Sequence, residues 1–234
     1  MTITFNKKVL IALGIAASYI TAFSSLAEGG ISVQGTRIVY PLHAKQENIT
    51  VSNTSATDSF LVQSWTEDAI GKKSKDFVVT PPLYLSGPKN ENILRLMQLN
   101  GNLPQDRESL YYFIVKAIPS VDEASGANKS VLQIATASRI KLFVRPAGLA
   151  PEADKAPGYL RFQHEGNQLN IDNPTPYYIT LTRIVYEGKG LKDIMVAPKS
   201  HALMLLPPGS ARSITFSTIS DHGAVTKAET KEIK

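Results

Sequence analysis

The sequence predicts an all-β chain folded as two immunoglobulin-like β-sandwich domains. Three observations carry this reading. Apolar and polar residues alternate at period two through most of the chain, and no long stretch carries a helical stripe. Short polar or Pro/Gly turns separate the alternating runs at the spacing of a sandwich. One stretch poor in strand formers, Pro146 to Gly158, divides the runs into two series and reads as a linker.

The elements follow in order. Lys7 and Lys8 precede an apolar run with Gly14, and Ser25-Leu26-Ala27 places small residues where a signal peptidase reads. Residues 1–27 are therefore an expected export signal, too short and too rich in small residues for a span. Its removal leaves Glu28 first and takes away two lysines and no acids. The first strand series covers 31–40, 48–53, 60–66, 77–80, 92–99, 111–118 and 131–144. Its turns read NTSATD, GKKSK, SGPKN, NGNLPQD and VDEASGANK. Trp65, the single tryptophan of the chain, is expected in the core of this sandwich. The second series covers 159–164, 168–172, 177–186, 194–196, 202–206 and 213–219, with the Lys/Glu/Thr-rich last residues expected to fray. No internal repeat is visible. The expected boundaries are 28–147 for the N-terminal domain, 148–158 for the linker and 159–234 for the C-terminal domain.

Composition narrows the function. The chain has 234 residues, net charge +5 and no cysteine. An exported chain without disulfides must hold itself by core burial, which two domains of about 100 residues can do. The mild basic excess is not the dense stripe of a nucleic-acid binder. His43, His164, His201 and His222 lack ligand spacing, and no nucleophile elbow, phosphate loop or carboxylate pair is present. The expectation is a binding protein, with no enzymatic activity, no metal and no cofactor.

Two blocks carry the specific signal. Residues 103–119, LPQDRESLYYFIVKAIP, place a polar turn with Pro104, Asp106, Arg107 and Glu108 ahead of an aromatic strand. The run VLQIATASRIKLFVRP then starts apolar, at Val131 to Ser138, and ends with Arg139, Lys141 and Arg145 between Ile140, Leu142 and Val144. A strand apolar on both faces at its start favours docking over burial in its own core.

Together these blocks resemble the signature of the periplasmic pilus (fimbrial) assembly chaperones. The resemblance extends to Val33-Gln-Gly-Thr-Arg-Ile-Val-Tyr-Pro41, to Thr80-Pro-Pro82, to Ile140-Lys-Leu-Phe143 with Arg145-Pro146, and to Asp172-Asn-Pro-Thr-Pro-Tyr-Tyr178. Ile114 departs from it, standing where the family usually has Asn or Cys. The short turn 121–129, without nearby cysteines, resembles the short-loop branch.

The resemblance implies two sandwiches joined at an angle, with a cleft between them. It implies a periplasmic chaperone that binds, folds and caps pilus subunits by lending them a strand, then delivers them to an outer-membrane usher, with no nucleic-acid partner and no stable membrane insertion. Lending a strand is β-augmentation, which covers an otherwise aggregation-prone edge. It implies Val131, Leu132, Ile134 and Thr136 as donor-strand residues. Arg37 and Lys141 become the anchor for the subunit's terminal carboxylate, and Glu108, Arg145 and Asp221 a charge cluster between the domains. Strict alternation puts Lys141 on the face opposite Leu132 and Ile134. Either a bulge shifts the register, or the lysine reaches its partner from another side. The alternative function is a two-domain structural or adhesive surface protein of the pilus itself; a periplasmic sugar-binding or hydrolytic enzyme is a further competitor.

Overall fold

A computed structural model describes residues 29–99, 102–120 and 133–234. The expected export signal, and Val131 and Leu132 of the donor run, lie outside the described residues. The N-terminal part comprises β1 (Ile31–Val33), β2 (Arg37–Pro41), β3 (Glu47–Asn53), β4 (Phe60–Asp68), β5 (Phe77–Thr80), β6 (Leu83–Ser86), β7 (Glu91–Gln98), β8 (Ser109–Pro119) and β9 (Thr136–Arg145). A four-stranded sheet runs β1-β3-β7-β5 and a five-stranded one β2-β9-β8-β4-β6. Alternate residues fill the space between them: Val51, Leu94 and Leu96 from one sheet, Tyr40, Val62, Phe113 and Leu142 from the other. Each such side chain contributes about 1.5–3 kcal/mol by leaving water.

The segment 31–40, expected as one strand, is two strands in different sheets. β1 pairs antiparallel with β3, whereas β2 pairs parallel with β9. The break falls at Gln34-Gly35-Thr36, where Gly35 takes φ +84°, a left-handed conformation that lets the chain step from one sheet to the other. Trp65 is also placed differently from expectation. Val62, Ser64 and Thr66 are the buried positions of β4, and half-buried Trp65 points to the outer face. There its indole N–H donates to Glu67 Oε1 at 3.1 Å.

The C-terminal part comprises β10 (Arg161–Glu165), β11 (Gln168–Asn173), β12 (Ile179–Tyr186), β13 (Lys189–Gly190), β14 (Ile194–Val196), β15 (Ser200–Leu205), β16 (Ser213–Thr218) and β17 (Glu229–Glu232). A sheet β10-β11-β15 faces a sheet β13-β12-β16-β17, with β14 also on β12. Leu169, Ile171, Leu181, Ile184, Ile214 and Phe216 pack between them. The last residues do not fray: β17 pairs with β16, and Ile233 is buried in the core. The Pro146–Gly158 stretch is docked on this sandwich. Leu149, Ala153 and Ala156 pack on its core, and the Tyr177 hydroxyl donates to Pro151 O at 2.9 Å.

The two sandwiches repeat one device that the sequence reading missed. Asn53 closes β3 and Asn173 closes β11, both buried. Asn53 Nδ2 donates to Asp58 O and Gly87 O, at 2.7 and 2.8 Å. Asn173 Nδ2 donates to Tyr177 O and Ala197 O, at 2.7 and 3.0 Å. In each case the side-chain oxygen accepts from the amide two residues on. A buried amide so fully partnered fixes two loops at once.

A free strand edge and a charged cleft

The crossover at 34–36 has a direct consequence for β9. Along Lys141 to Val144 this strand has β8 on one side and β2 on the other. Along Thr136 to Ile140 it has only β8, because the chain before Arg37 belongs to the other sheet. Among the described residues this leaves a row of backbone groups unpaired, ending abruptly at Lys141. The β8–β9 register is continuous from Thr136 to Val144, without a bulge. Ile140, Leu142 and Val144 therefore face the core, and Arg139, Lys141 and Phe143 face outward. Between Thr136 and Val144 no bulge turns Lys141 to the other face. β9 begins at Thr136, so exposed Ile134 precedes the strand and Thr136, also exposed, opens it.

Arg37 and Lys141 are directly opposed in the parallel pairing of β2 and β9. They come from positions distant in sequence, yet their Cα atoms are register partners at the point where the free edge ends. Arg37 Nη1 donates to Ile219 O of the C-terminal sandwich at 3.0 Å. Its guanidinium carbon lies 5.6 Å from the Phe143 ring centre. Its Nε is buried without a partner. Burial lowers the Arg37 pKa, and Asp221 and Glu108 offset part of this. Burial and then the neighbouring Arg37 lower Lys141, with Asp193 opposing. Two half-desolvated cations side by side are a poor arrangement for an isolated protein and a good one for an anion.

Glu108, Arg145 and Asp221 lie together across the junction of the sandwiches. Arg145 Nε donates to Glu108 Oε1 at 2.7 Å, and its two Nη groups reach Asp221 at 2.6 and 2.7 Å, a bidentate pair. Glu108 is almost completely buried, and its other oxygen accepts the Tyr178 amide at 2.8 Å. The Glu108 amide in turn donates to Pro176 O at 2.9 Å. Burial pushes the Glu108 carboxyl above its ordinary value, with Arg145 and the Tyr178 amide opposing. The Arg145 hydrogen bonds hold Asp221 below its ordinary value. Phe143 against Tyr178, centroids 5.7 Å apart, and Lys199 on Asp106 at 2.6 Å complete the contact. A cleft of about 210 Å³ is lined by Arg37, Glu108, Phe143, Arg145, Tyr178 and Asp221 among others.

On the outer face beside Lys141, the Arg139 guanidinium lies 3.3 Å over the Tyr112 ring and pairs with Glu67 at 3.2 Å. Ile114, opposite both Arg139 and Trp65 in the ladder, is buried on this same face. The residue that departs from the resemblance thus packs beneath a charged and aromatic cover.

Three groups that matter here escaped the sequence reading. Tyr178 lies in the 172–178 motif, but the backbone amide by which it holds Glu108 leaves no mark in the sequence. Gly223 sits in a recognisable Asp-His-Gly turn. The Ile219 carbonyl has no signal at all, because a backbone acceptor is not written in the side-chain alphabet.

A two-sandwich protein with an unpaired strand edge running into a pair of cations is built to take up an extended segment of another chain. Comparison with known proteins identifies the class. Residues 30–150 match the family described as pili and flagellar-assembly chaperone, PapD N-terminal domain, and residues 155–230 match pili assembly chaperone PapD, C-terminal domain. The chain belongs to the pilus assembly chaperone family. It is 42% identical over 231 residues to the probable fimbrial chaperone LpfB of Escherichia coli, covering 97% of each chain. It is 44% identical over 201 residues to the chaperone protein FimC of Escherichia coli, covering 86% of this chain and 83% of that one. Among solved structures, the periplasmic chaperone SfaE matches with TM-score 0.76 and 42% identity over 86% of this chain and 98% of that chain. The SafB chaperone, solved in complex with the Salmonella enterica SafA pilin, matches with TM-score 0.77 and 28% identity over 87% of this chain and 96% of that chain. Among the described residues, no helix is long and apolar enough to cross a membrane.

Proposed function

We propose that this chaperone binds pilus subunits in the periplasm at the free edge of β9, without catalysis, and hands them to an outer-membrane usher. The export signal is cleaved near Ala27, and the first and second sandwiches span 28–147 and 159–234. The observation that carries the reading is the in-register pairing of Arg37 and Lys141 where the unpaired edge ends. A client strand laid along Thr136 to Ile140 continues the line of β2. Running parallel to β9, it brings its last residue, and so its carboxylate, to the two cations. Charge-assisted hydrogen bonds of about 1.5–3 kcal/mol each then set affinity and register together. Val131, Leu132, Ile134 and Thr136 lie upstream on the donor run and supply side chains to the client's groove. The SafA–SafB complex, in which a related chaperone holds a pilin, supports this reading. Glu108, Arg145 and Asp221 hold the two sandwiches at the angle that forms the cleft.

The test is co-purification from periplasm with a co-expressed subunit. The Lys141 side chain makes no hydrogen bond or ion pair among the described residues, so Lys141→Ala should leave the free protein's stability within about 0.5 kcal/mol and abolish recovery of the complex. Arg37→Ala is a less clean probe, because it also deprives the Ile219 carbonyl of its donor. Wild-type yield of complex from Lys141→Ala would defeat the anchor.

A further inference from the structure

We propose that the hairpin 219–225 of the C-terminal sandwich is itself part of the carboxylate site, with Asp221 and Gly223 as positioning residues that preset the Arg37 guanidinium. The proposal rests on the reading above, in which Arg37 receives the client's terminus.

The hairpin is a closed unit. Ile219 bridges Val225, the Ser220 amide donates to Ala224 O at 2.9 Å, and the Gly223 amide donates to Ser220 O at 2.9 Å. It meets the N-terminal sandwich at three alternate residues. The Ile219 carbonyl accepts Arg37 Nη1 at 3.0 Å. Asp221 is clamped by both Nη groups of Arg145. Gly223, at φ +80°, lies so close to Thr36 that an added Cβ would stand 2.1 Å from the threonine Oγ1. Thr36 is the residue immediately before Arg37. The hairpin therefore meets both the side chain of the residue just before the arginine and the head of the arginine itself.

The physical gain is preorganisation. A free arginine side chain loses up to about 2 kcal/mol of rotamer freedom when it is fixed. Here much of that loss has occurred on folding. The guanidinium is planar, so committing Nη1 to a carbonyl fixes the direction of its remaining donors. The Phe143 ring on one side and the Ile219 carbonyl hold it without neutralising it, since neither is an anion. Asp221 and Glu108 are near enough to favour the Arg37 charge, but their hydrogen bonds go to Arg145 and the Tyr178 amide, and neither hydrogen-bonds Arg37. The cleft thus keeps a fixed cation whose nearest hydrogen-bond partner is neutral, and the client carboxylate is the anion it lacks. On this view the charge cluster does more than set an angle: through the hairpin it aims the anchor.

The experiment compares two synthetic peptides of alternating Val and Thr, one ending in a free carboxylate and one amidated, titrated onto the whole chain. Wild type should favour the carboxylate by about tenfold or more. No preference in wild type would refute the anchor reading itself, and the hairpin proposal with it. Given a wild-type preference, Gly223→Ala should bring the ratio towards one, and Gly223→Ala with Thr36→Ala, which removes the clashing hydroxyl, should restore part of it. Asp221→Asn loosens the clamp without adding bulk, so it should also lower the ratio, and it decides the matter if Gly223→Ala does not fold. In parallel, the Arg37 Nη protons should exchange slowly with solvent in wild type and fast in the variants. A merely structural hairpin predicts something else: both peptides bind more weakly by the same factor and the ratio is preserved. That result would overturn the proposal.

Discussion

Replacing Arg145 by alanine tests how the two sandwiches are held, and its cost can be worked from the geometry. Arg145 makes one hydrogen bond of 2.7 Å to Glu108 and two to Asp221 of 2.6 and 2.7 Å. The two arms differ in weight. The Glu108 side chain is 1% exposed, so losing its cation leaves a charge in the interior with a single remaining donor, the Tyr178 amide. Breaking a buried pair from one side costs about 3–5 kcal/mol. The Asp221 side chain is 39% exposed, and solvent takes over much of its loss, so that arm adds at most about 1 kcal/mol. Arg145→Ala should therefore destabilise by about 4 kcal/mol, nearly all of it through Glu108. Adding Glu108→Gln to Arg145→Met removes both charges and keeps an acceptor for the Tyr178 amide, so the double variant should recover to within about 1–2 kcal/mol of wild type. The assay is urea denaturation followed by fluorescence. Trp65, the single tryptophan, reports on the N-terminal sandwich, and far-UV dichroism reports on both. A loss under about 1 kcal/mol for Arg145→Ala, or a double variant no better than the single, would refute the assignment of the cost to buried Glu108.

The remaining predictions concern pH and the C-terminus. Asp221 is held below its ordinary 3.8, so its contribution is fully present above that pH and is lost as pH falls through the lowered value; Asp221→Asn should abolish this acid-side decline. Glu108 has the opposite sign: its folded value is raised above 4.5, so stability falls as pH climbs from there to the raised value, and denaturation of Glu108→Gln across this range should show that slope removed. Asp106, exposed and held at about 2 chiefly by Lys199, should keep its charge to lower pH than other surface aspartates, checked by NMR titration. Ile233→Ala should cost the C-terminal sandwich about 2–5 kcal/mol in urea denaturation, whereas a frayed terminus would show no change.

Much of this was legible because the sequence wrote it in side chains. Alternation at period two gave both sandwiches, and most strands fell within a residue or two of the expected bounds. Arg37, Lys141, Glu108, Arg145 and Asp221 were each singled out by resemblance, and the structure brings the first two into register and the last three into contact. What was not legible has physical reasons. Trp65 was expected inside, but both faces of β4 are mixed, with Val62, Ser64 and Thr66 on one and Leu61, Gln63 and Trp65 on the other. Composition does not choose between them, and a one-residue choice of register inverts every side chain. The segment 31–40 starts and ends with strand formers, but its alternation lapses over Gln34-Gly35-Thr36-Arg37, and the chain changes sheet within that lapse, at the left-handed Gly35. β17 is a polar edge strand whose one apolar member in the core, Ile233, lies a residue beyond it, and a pattern reader sees a tail.

The sheet change at Gly35 links these observations. Had residues 31–40 continued as one strand beside β9, the edge at Thr136 to Ile140 would be covered and Arg37 would lie mid-sheet with no open end next to it. Stepping away at 34–36 opens the edge and puts the start of β2, with Arg37, at its end. It also carries a hazard, because an open edge invites pairing with any extended segment. The charges at that point answer it. A strand laid along Thr136 to Ile140 and running towards the start of β2 would meet Arg37 and Lys141 head-on, and the desolvation of two like charges is relieved only by an anion. An internal stretch of polypeptide offers a neutral peptide bond there, whereas a chain terminus offers a carboxylate. On the anchor reading proposed above, the same pair of cations would also discriminate against pairing in the wrong register, which is specificity by unmet charge rather than by extra contact.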